Sequence, residues 1–314
     1  MVDTNFTNGM IAVKEKSLLG EKLLRLAEGS LEEALRALKE SGFGSGAEGA
    51  DGEALILSEE SALDAFIRAY APGRPELVYL LAPRDFHNAK ALCKAKLTGA
   101  ETDGMLAPEG ERTVAELNTA IESGDFDALG KALGGAVKEV LEKEGVTGAE
   151  IGTVFDRALF SYLFSVSKRA PLLKKFLKDR ADRTNILTAL RASGPEQAEA
   201  LFVEGGTLSE AKLSRIFTDK AEAALDGTPY ADFYKLCLAA REKGLPFTEA
   251  ERSLDSCEAE YFAARRFALE GKQPFLYYVF RRRAEIANVR ILLVCLNAGL
   301  PAQDIKKRLR AVNA

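Results

Sequence analysis

The chain has 314 residues, of which 47% are hydrophobic and 29% carry a charge, so it holds enough apolar material for a substantial core. No stretch reaches the roughly 18 consecutive apolar residues that a membrane-spanning helix needs. Tryptophan is absent and no arginine-rich stretch is interleaved with aromatic residues, which argues against a nucleic-acid-binding protein.

Charge is distributed unevenly along the chain, although the formal net charge is only −4. Residues 1–118 carry 13 Lys and Arg against 20 Asp and Glu, residues 119–216 carry 14 of each, and residues 217–314 carry 16 against 13. An acidic first part and a basic last part favour oriented docking between protein partners.

The N-terminal residues are polar and no apolar signal segment follows them. The four cysteines, Cys93, Cys237, Cys257 and Cys295, form no Cys-x-x-Cys pair, and three of them lie in apolar helical patterns. We interpret them as small buried residues of a reducing compartment. The sequence therefore predicts a cytoplasmic location.

Helix signals dominate from the N-terminus onwards. In a capping box, a Ser or Thr hydroxyl accepts a main-chain N–H three residues later, and a glutamate reaches back to the cap residue. This pattern predicts boxes at Ser30–Glu33, Thr113–Glu116, Thr147–Glu150, Thr207–Glu210 and Thr248–Glu251. No convincing pair of alternating strands is present. We predict an all-α protein of about fifteen helices in bundles joined by short loops.

Two glycine-rich stretches match nucleotide-binding patterns only superficially. Residues 44–49 have the spacing of a dinucleotide fingerprint, but a helix precedes them where the fingerprint needs a strand. Residues 124–131 resemble a phosphate-binding loop, but five residues separate the glycines and Ala132 stands where Mg²⁺ needs a hydroxyl. We interpret both as ordinary loops, and residues 42–52 as a flexible one.

The sequence offers no constellation for catalysis. His87 is the only histidine, so it cannot belong to a multi-histidine metal site, and no cysteine cluster replaces one. We interpret His87 as an ordinary residue of a helix surface. The chain is therefore expected to be a non-catalytic protein without a cofactor or metal.

Three segments, 97 and 103 residues apart, share one pattern: an acid, two residues, an asparagine and then apolar residues at helical spacing. These pairs, here called the anchors, are Asp85 with Asn88, Asp182 with Asn185, and Glu285 with Asn288. Apolar–Asp pairs at residues 63–64, 155–156 and 254–255 keep the same register and are expected to open the preceding helices. The sequence therefore predicts a triplication into units 10–118, 119–216 and 217–314.

Acid and asparagine at positions i and i+3 share one face of a helix, so the two side chains of an anchor can act together. Each anchor supplies only one carboxylate, which does not make a paired acid–base site. We predict a structural role, in which a partly buried acid and amide satisfy an adjacent helix end or an arginine.

Residues 277–292, Tyr-Tyr-Val-Phe-Arg-Arg-Arg-Ala-Glu-Ile-Ala-Asn-Val-Arg-Ile-Leu, resemble the C-terminal signature of one family. This family comprises the C subunits of archaeal and bacterial V/A-type ATPases, which are equivalent to the d subunit of the eukaryotic V-ATPase. Residues 85–90 and 182–187 are similar to two earlier copies of the motif, and the resemblance extends from about residue 10 to 312. The third copy departs from the other two in having Glu where they have Asp.

The resemblance implies a funnel-shaped helical protein with pseudo-threefold symmetry and a central cavity. It implies a non-catalytic coupling subunit without a nucleotide site, which is monomeric alone and has no membrane span of its own. Its partners would be the central-stalk subunits and the membrane rotor ring, on the cytoplasmic face of the membrane. There it would couple proton or sodium transport to ATP hydrolysis or synthesis.

Two other functions stay open on the residues alone. One is a helical-repeat scaffold that binds proteins outside any rotary machine. The other is a helical hydrolase in which Asp85, Asp182 and Glu285 converge on one cavity, although no histidine or metal partner supports it.

A basic cluster in the last third of the chain is a candidate docking site for an acidic partner surface. The members that we single out are Arg281, Arg282, Arg283, Lys306, Lys307 and Arg308. The alternative is a solvated face with cations near helix C-termini.

Overall fold

The computed structural model describes residues 3–309 except 50, 103, 219–220 and 264–270. This part of the chain forms fifteen α-helices and five short 3₁₀ helices and contains no β-strand, so the predicted all-α class is confirmed. The α-helices are α1 (Thr4–Lys14), α2 (Lys22–Leu26), α3 (Leu31–Glu40), α4 (Gly52–Tyr70), α5 (Arg74–Thr98), α6 (Val114–Ser123), α7 (Lys131–Glu142), α8 (Gly148–Val166), α9 (Pro171–Arg191), α10 (Pro195–Leu201), α11 (Glu210–Leu213), α12 (Ala231–Glu242), α13 (Thr248–Ala263), α14 (Gln273–Asn297) and α15 (Ala302–Arg308). The 3₁₀ helices are Glu15–Ser17, Phe126–Leu129, Ser167–Arg169, Ser214–Phe217 and Ala221–Ala223.

Three of the five predicted capping boxes are formed, at the starts of α3, α6 and α8. The box at Thr207 is wrong, because the Thr207 hydroxyl donates to the Asp182 carboxylate at 2.6 Å and Ser209 caps α11 instead. The box at Thr248 is also wrong: Thr248 is already the first residue of α13, and Glu251 forms an ion pair with Arg191. At Thr207 a buried carboxylate elsewhere in the fold outcompetes the local hydrogen bond.

The apolar–Asp pairs were predicted to open helices, and this prediction is wrong. The pairs lie inside helices. They fall in α4, α8 and α13, which are the helices immediately before the anchor helices α5, α9 and α14. Leu63 and Phe155 are buried, so the apolar member of these two pairs contributes to packing.

The loop at residues 42–49 lies between α3 and α4 and contacts residues of α4. Phe43 is buried, and the Gly44 amide donates to Glu59 at 2.7 Å. Gly44 adopts a φ of +70° and lies against Leu55, where a side chain would overlap with that leucine. The described part of the loop, predicted as flexible, therefore has fixed contacts, and no strand precedes it.

The chain divides into two compact units, one of residues 1–73 with 255–314 and one of residues 74–254. In the first unit α4 and α14 run antiparallel, since Phe66 near the end of α4 stacks on Phe275 at the start of α14 and Gly52 faces Leu293. The predicted three units and their funnel arrangement stay predictions.

In the second unit, α5 packs along α8, and α6 and α7 complete a core that includes Phe86, Leu117, Val137 and Phe155. The helix α9 packs against α10 and α12 around a second core. That core includes Ile186, Leu190, Phe233, Tyr234 and Cys237.

Candidate functional site

The first anchor holds the loop that leads into α6. Asp85, which is 1% exposed on α5, accepts the main-chain N–H groups of Glu111 at 3.1 Å and Arg112 at 3.2 Å. The Arg112 guanidinium lies 3.5 Å from the same carboxylate. Gly110 precedes the two amides, and a Cβ there would collide with the Asp85 carboxylate. The buried carboxylate of Asp85 thus fixes a turn, and only glycine at position 110 lets the backbone of this turn approach the carboxylate closely enough.

Asn88 fixes the same loop a few residues earlier. Its side-chain amide donates to the carbonyl oxygen of Ala107 at 3.1 Å and accepts the N–H of Ala107 at 2.7 Å. Asparagine carries both a donor and an acceptor, so one side chain satisfies both backbone groups of one residue.

The second anchor repeats this arrangement on α9. Asp182, which is fully buried, accepts the main-chain N–H of Thr207 at 2.8 Å and of Leu208 at 2.9 Å. The Tyr230 hydroxyl donates to it at 2.8 Å. Gly206 precedes the two amides, and a Cβ there would collide with Asp182.

Asn185 binds Val203 as Asn88 binds Ala107. It donates to the Val203 carbonyl oxygen and accepts the Val203 N–H, each at 2.9 Å. The two anchors within this unit therefore hold equivalent loops by the same four hydrogen bonds: two main-chain amides donate to the acid, and the N–H and carbonyl oxygen of one residue bind the asparagine.

The third anchor, on α14, holds a segment from the other end of the chain. Glu285 accepts the N–H of Leu19 at 2.5 Å, 266 positions earlier in sequence, and is also hydrogen-bonded to the Gly20 backbone. Arg282 lies between Glu285 and Glu59 and pairs with both carboxylates. Asn288 is fully buried.

Arg282 joins two loop contacts in this unit. Glu59 accepts the Gly44 amide, and Glu285 accepts the Leu19 amide. The guanidinium therefore connects two acids that each fix a separate backbone segment. Because all three charged side chains are buried, loss of Arg282 would leave two buried carboxylates without their cation.

Burial dominates the electrostatics of two anchor acids. It raises the pKa of Asp85 above its usual value, although the Arg112 backbone and guanidinium act to lower it. Burial likewise raises the pKa of Glu285, against the opposing effects of Arg282 and the Leu19 amide. Burial and the hydrogen bond to Asp182 raise the pKa of the Tyr230 hydroxyl, which keeps it a donor at neutral pH.

Asp85 and Asp182 do not share a partner, because each carboxylate is occupied by the amides of its own loop. In the parts of the chain described above, no three His, Cys, Asp or Glu side chains come together as a metal site. His87 is exposed on α5, with Nε2 2.9 Å from the carbonyl oxygen of Met105. The contacts of the anchors are those of structural acids that hold loops.

The six candidate docking cations do not share one environment. Arg282 is 8% exposed and engaged by two acids, so it cannot also bind a partner. Arg281 stacks on the Tyr277 ring, while Lys306 pairs with Glu28 and Lys307 with Asp304. The described members also include Arg283, which is half-buried, and Arg308, which is exposed. The docking prediction is retained only for the members at the surface.

Sequence reasoning missed the loops that the anchors hold. The signal that could have found two of them is a glycine at a similar distance after the acid, Gly110 25 residues after Asp85 and Gly206 24 residues after Asp182. It also missed Glu59, which forms a buried network with Arg282 and has no counterpart in the anchor motif.

The described helices include none that is both long enough and apolar enough to cross a membrane.

The family model and the relatives that match this chain all belong to one kind of protein, a subunit of ATP synthases and related ATPases. A family described as "ATP synthase (C/AC39) subunit" matches residues 7–308. The C subunit of the V-type ATP synthase of Deinococcus radiodurans is 27% identical over 98% of this chain and 92% of its own length. The C subunit of the V-type sodium ATPase of Enterococcus hirae is 24% identical over 83% of each chain. The C subunit of the V-type ATP synthase of Thermus thermophilus is 24% identical over 97% of this chain and 98% of its own.

Proposed function

Because the chain belongs to the family of C/AC39 subunits of ATP synthases, we propose that it is the non-catalytic coupling subunit of a rotary V/A-type ATPase. In this role it joins the central stalk to the membrane rotor ring. The observation that carries the proposal is the extent of the match, since residues 7–308 fit the family and the Deinococcus relative aligns over nearly its full length.

The anchors support a mechanical role. A subunit that passes torque must keep its shape under load, and each anchor fixes a loop through buried, charge-assisted hydrogen bonds. Such bonds do not depend on surface side chains that partners would displace. The anchors thus supply internal stiffness and leave the outer surface to contact other subunits.

The proposed location is peripheral, on the cytoplasmic face of the membrane, where the chain is held by the complex. The relatives include a sodium ATPase and ATP synthases by name, so either proton or sodium coupling and either direction of the reaction suits the proposal. The competing function is a protein-binding helical scaffold outside a rotary ATPase, which would not bring down stalk and ring subunits on purification.

The test is ATP-driven ion pumping by complexes rebuilt with and without this chain. Removal should leave ATP hydrolysis in the catalytic head and abolish ion movement, because torque requires a continuous shaft. The isolated chain should show neither ATP hydrolysis nor ATP binding. Full pumping without the chain would remove the coupling role and favour the scaffold.

A further inference from the structure

Positive charge is concentrated around the turn between α8 and α9. Residues 157–178 contain no Asp or Glu, although residues 119–216 as a whole carry equal numbers of acids and bases. The cations at this turn, here called the basic patch, are Lys168, Arg169, Lys174, Lys175 and Lys178. Among the residues that the structure describes, none of the five has an ion-pair partner. The fold of this unit therefore leaves the charge of the patch uncompensated.

The backbone of the basic patch is fixed. The 3₁₀ helix Ser167–Arg169 follows α8 directly and carries the first two cations. The N–H of Ala170 donates to the carbonyl oxygen of Ser167 at 3.0 Å, and the N–H of Lys174 donates to that of Ala170 at 2.9 Å. The chain thus passes through a hydrogen-bonded turn into α9, and the cations are presented by helices.

The lysines of the patch lie on the outer face of α9. At 3.6 residues per turn, Lys174, Lys175 and Lys178 fall within one arc of about 100°. Phe176 and Leu177 lie on the opposite side and are buried. Lys175 is exposed, and the other two lysines are half-buried. One side of α9 therefore packs in the core while the other presents charge to solvent.

Two of these lysines stand where the helix disfavours them. Lys174 and Lys175 lie near the start of α9, and the partial positive charge of a helix N-terminus repels cations. The first turn of α9 holds no acid that would offset this effect. The five like charges also repel one another. An anion outside the chain would relieve both effects.

The composition of the basic patch indicates which kind of anion it binds. Protein interfaces are enriched in Arg and depleted in Lys, whose ammonium group is strongly hydrated. Here four of the five cations are lysines. Clusters of about four to eight Lys or Arg on a helix are typical of proteins that bind anionic phospholipids. Single-stranded nucleic acid would need aromatic side chains for base stacking, and Phe176 is buried.

We propose that the basic patch binds the anionic phospholipid headgroups of the membrane surface. The inference rests on the proposed function for bringing the chain close to a membrane, while the charge and its position come from the turn itself. Each basic residue near an anionic surface strengthens binding about fivefold, so five together give about 10³–10⁴-fold. This contribution orients a chain that the complex already holds at the membrane.

The test is co-sedimentation of the full-length chain with vesicles of phosphatidylcholine, either alone or with about one third phosphatidylglycerol. The patch variant neutralises the three exposed cations of the patch: Lys168→Gln, Arg169→Gln and Lys175→Gln. The matched control neutralises two lysines and one arginine at exposed positions elsewhere in the same unit: Lys131→Gln, Arg215→Gln and Lys243→Gln. Melting temperatures establish that both variants fold, and Lys175→Gln alone replaces the patch variant if it does not.

We expect the wild-type and control proteins to bind the vesicles that contain phosphatidylglycerol. The patch variant should bind them about tenfold more weakly or worse, and the difference should shrink at high salt. Without lipid, the patch variant should bind the purified central-stalk subunits and the delipidated rotor ring as wild type does, because its partner is the membrane.

The inference is wrong if the wild-type chain ignores the anionic vesicles, binds both kinds of vesicle equally, or binds them no better than the patch variant. Tighter binding of the wild-type chain to single-stranded RNA than to the anionic vesicles would also overturn it. A loss of affinity of the patch variant for the lipid-free stalk or ring would assign the patch to protein docking instead. None of these results bears on the coupling role, which ATP-driven pumping with and without the chain decides separately.

Discussion

Asn185 occupies a position where no other side chain could serve as well. It must donate to the carbonyl oxygen of Val203 and accept its N–H at the same time. Aspartate at neutral pH can only accept, and leucine can do neither. Val203 is 5% exposed, so water cannot replace the missing partner. Asn88 makes the same pair of hydrogen bonds with the backbone of Ala107.

Replacing Asn185 with alanine should destabilise the fold by about 1–3 kcal/mol, because both backbone groups of Val203 lose their partner while buried. Thermal and denaturant unfolding measure this. Asn118→Ala, at an exposed position of α6, is the control and should stay within about 0.5 kcal/mol of wild type. An unchanged stability of Asn185→Ala would contradict the structural role of the anchor.

Glu285→Ala should have a larger effect, about 3–5 kcal/mol, because it breaks a buried ion pair and leaves the Leu19 amide without its acceptor. The control is Glu53→Ala, which removes an exposed partner of Arg290 in the same unit and should cost about 0–1 kcal/mol. Urea unfolding of the three proteins compares them. Equal losses in the two variants would mean that the buried network adds nothing beyond a surface pair.

At the scale of elements, each anchor helix fixes a loop through backbone amides, and the loop must come very close to the acid. The second unit achieves this with glycine directly before the two amides, at Gly110 and Gly206. The limit at both positions is steric, since neither glycine has a positive φ. The loop geometry therefore depends on one missing methyl group as much as on the carboxylate.

Gly206→Ala should push the loop away from Asp182, weaken the bonds from Thr207 and Leu208, and destabilise the protein by about 1–3 kcal/mol. Gly194→Ala is the matched control, since nothing lies within 4 Å of its added Cβ and its φ of −171° is extended backbone. Melting temperatures of the two variants should separate clearly. If the melting temperatures of both variants fall by the same amount, the close contact between Gly206 and Asp182 does not set the position of the loop.

The sequence could predict the helices and the anchors but not their partners. Apolar periodicity and capping residues are local signals. They predicted the all-α class and three of the five capping boxes correctly. The partners of Asp85 and Asp182 lie 25 to 27 residues downstream, in loops without periodicity. The partner of Glu285 lies near the N-terminus, so only the folded chain brings the two together. Thr207 shows the same limit, because a distant buried acid overrode a local capping pattern.

At the scale of the whole molecule, charge is the property that bears most directly on assembly. Residues 1–118 are acidic and residues 217–314 are basic. Part of this charge is neutralised inside the fold, as in the buried pair of Arg282 with Glu59. Only the charges left at the surface can steer a partner, and they act over a distance that salt controls.

Reversing Lys306, Lys307 and Arg308 to glutamate should weaken binding to an acidic surface of the stalk or ring. The loss should be largest at low salt and shrink as the Debye length falls from about 10 Å at 0.1 M to about 3 Å at 1 M. The control reverses three exposed cations elsewhere, Lys168, Arg169 and Lys175. Equilibrium binding at several ionic strengths gives the comparison.

The same three cations also lie in the last turn of α15, where they complement the partial negative charge of the helix end. Their reversal therefore lowers helix stability as well, and that effect alone would not change with the partner present. A loss of affinity that depends on salt and exceeds the control assigns the cations to docking. If the triple variant binds as tightly as wild type at every ionic strength, these cations only stabilise the end of α15. Docking would then have to involve other surfaces of the chain.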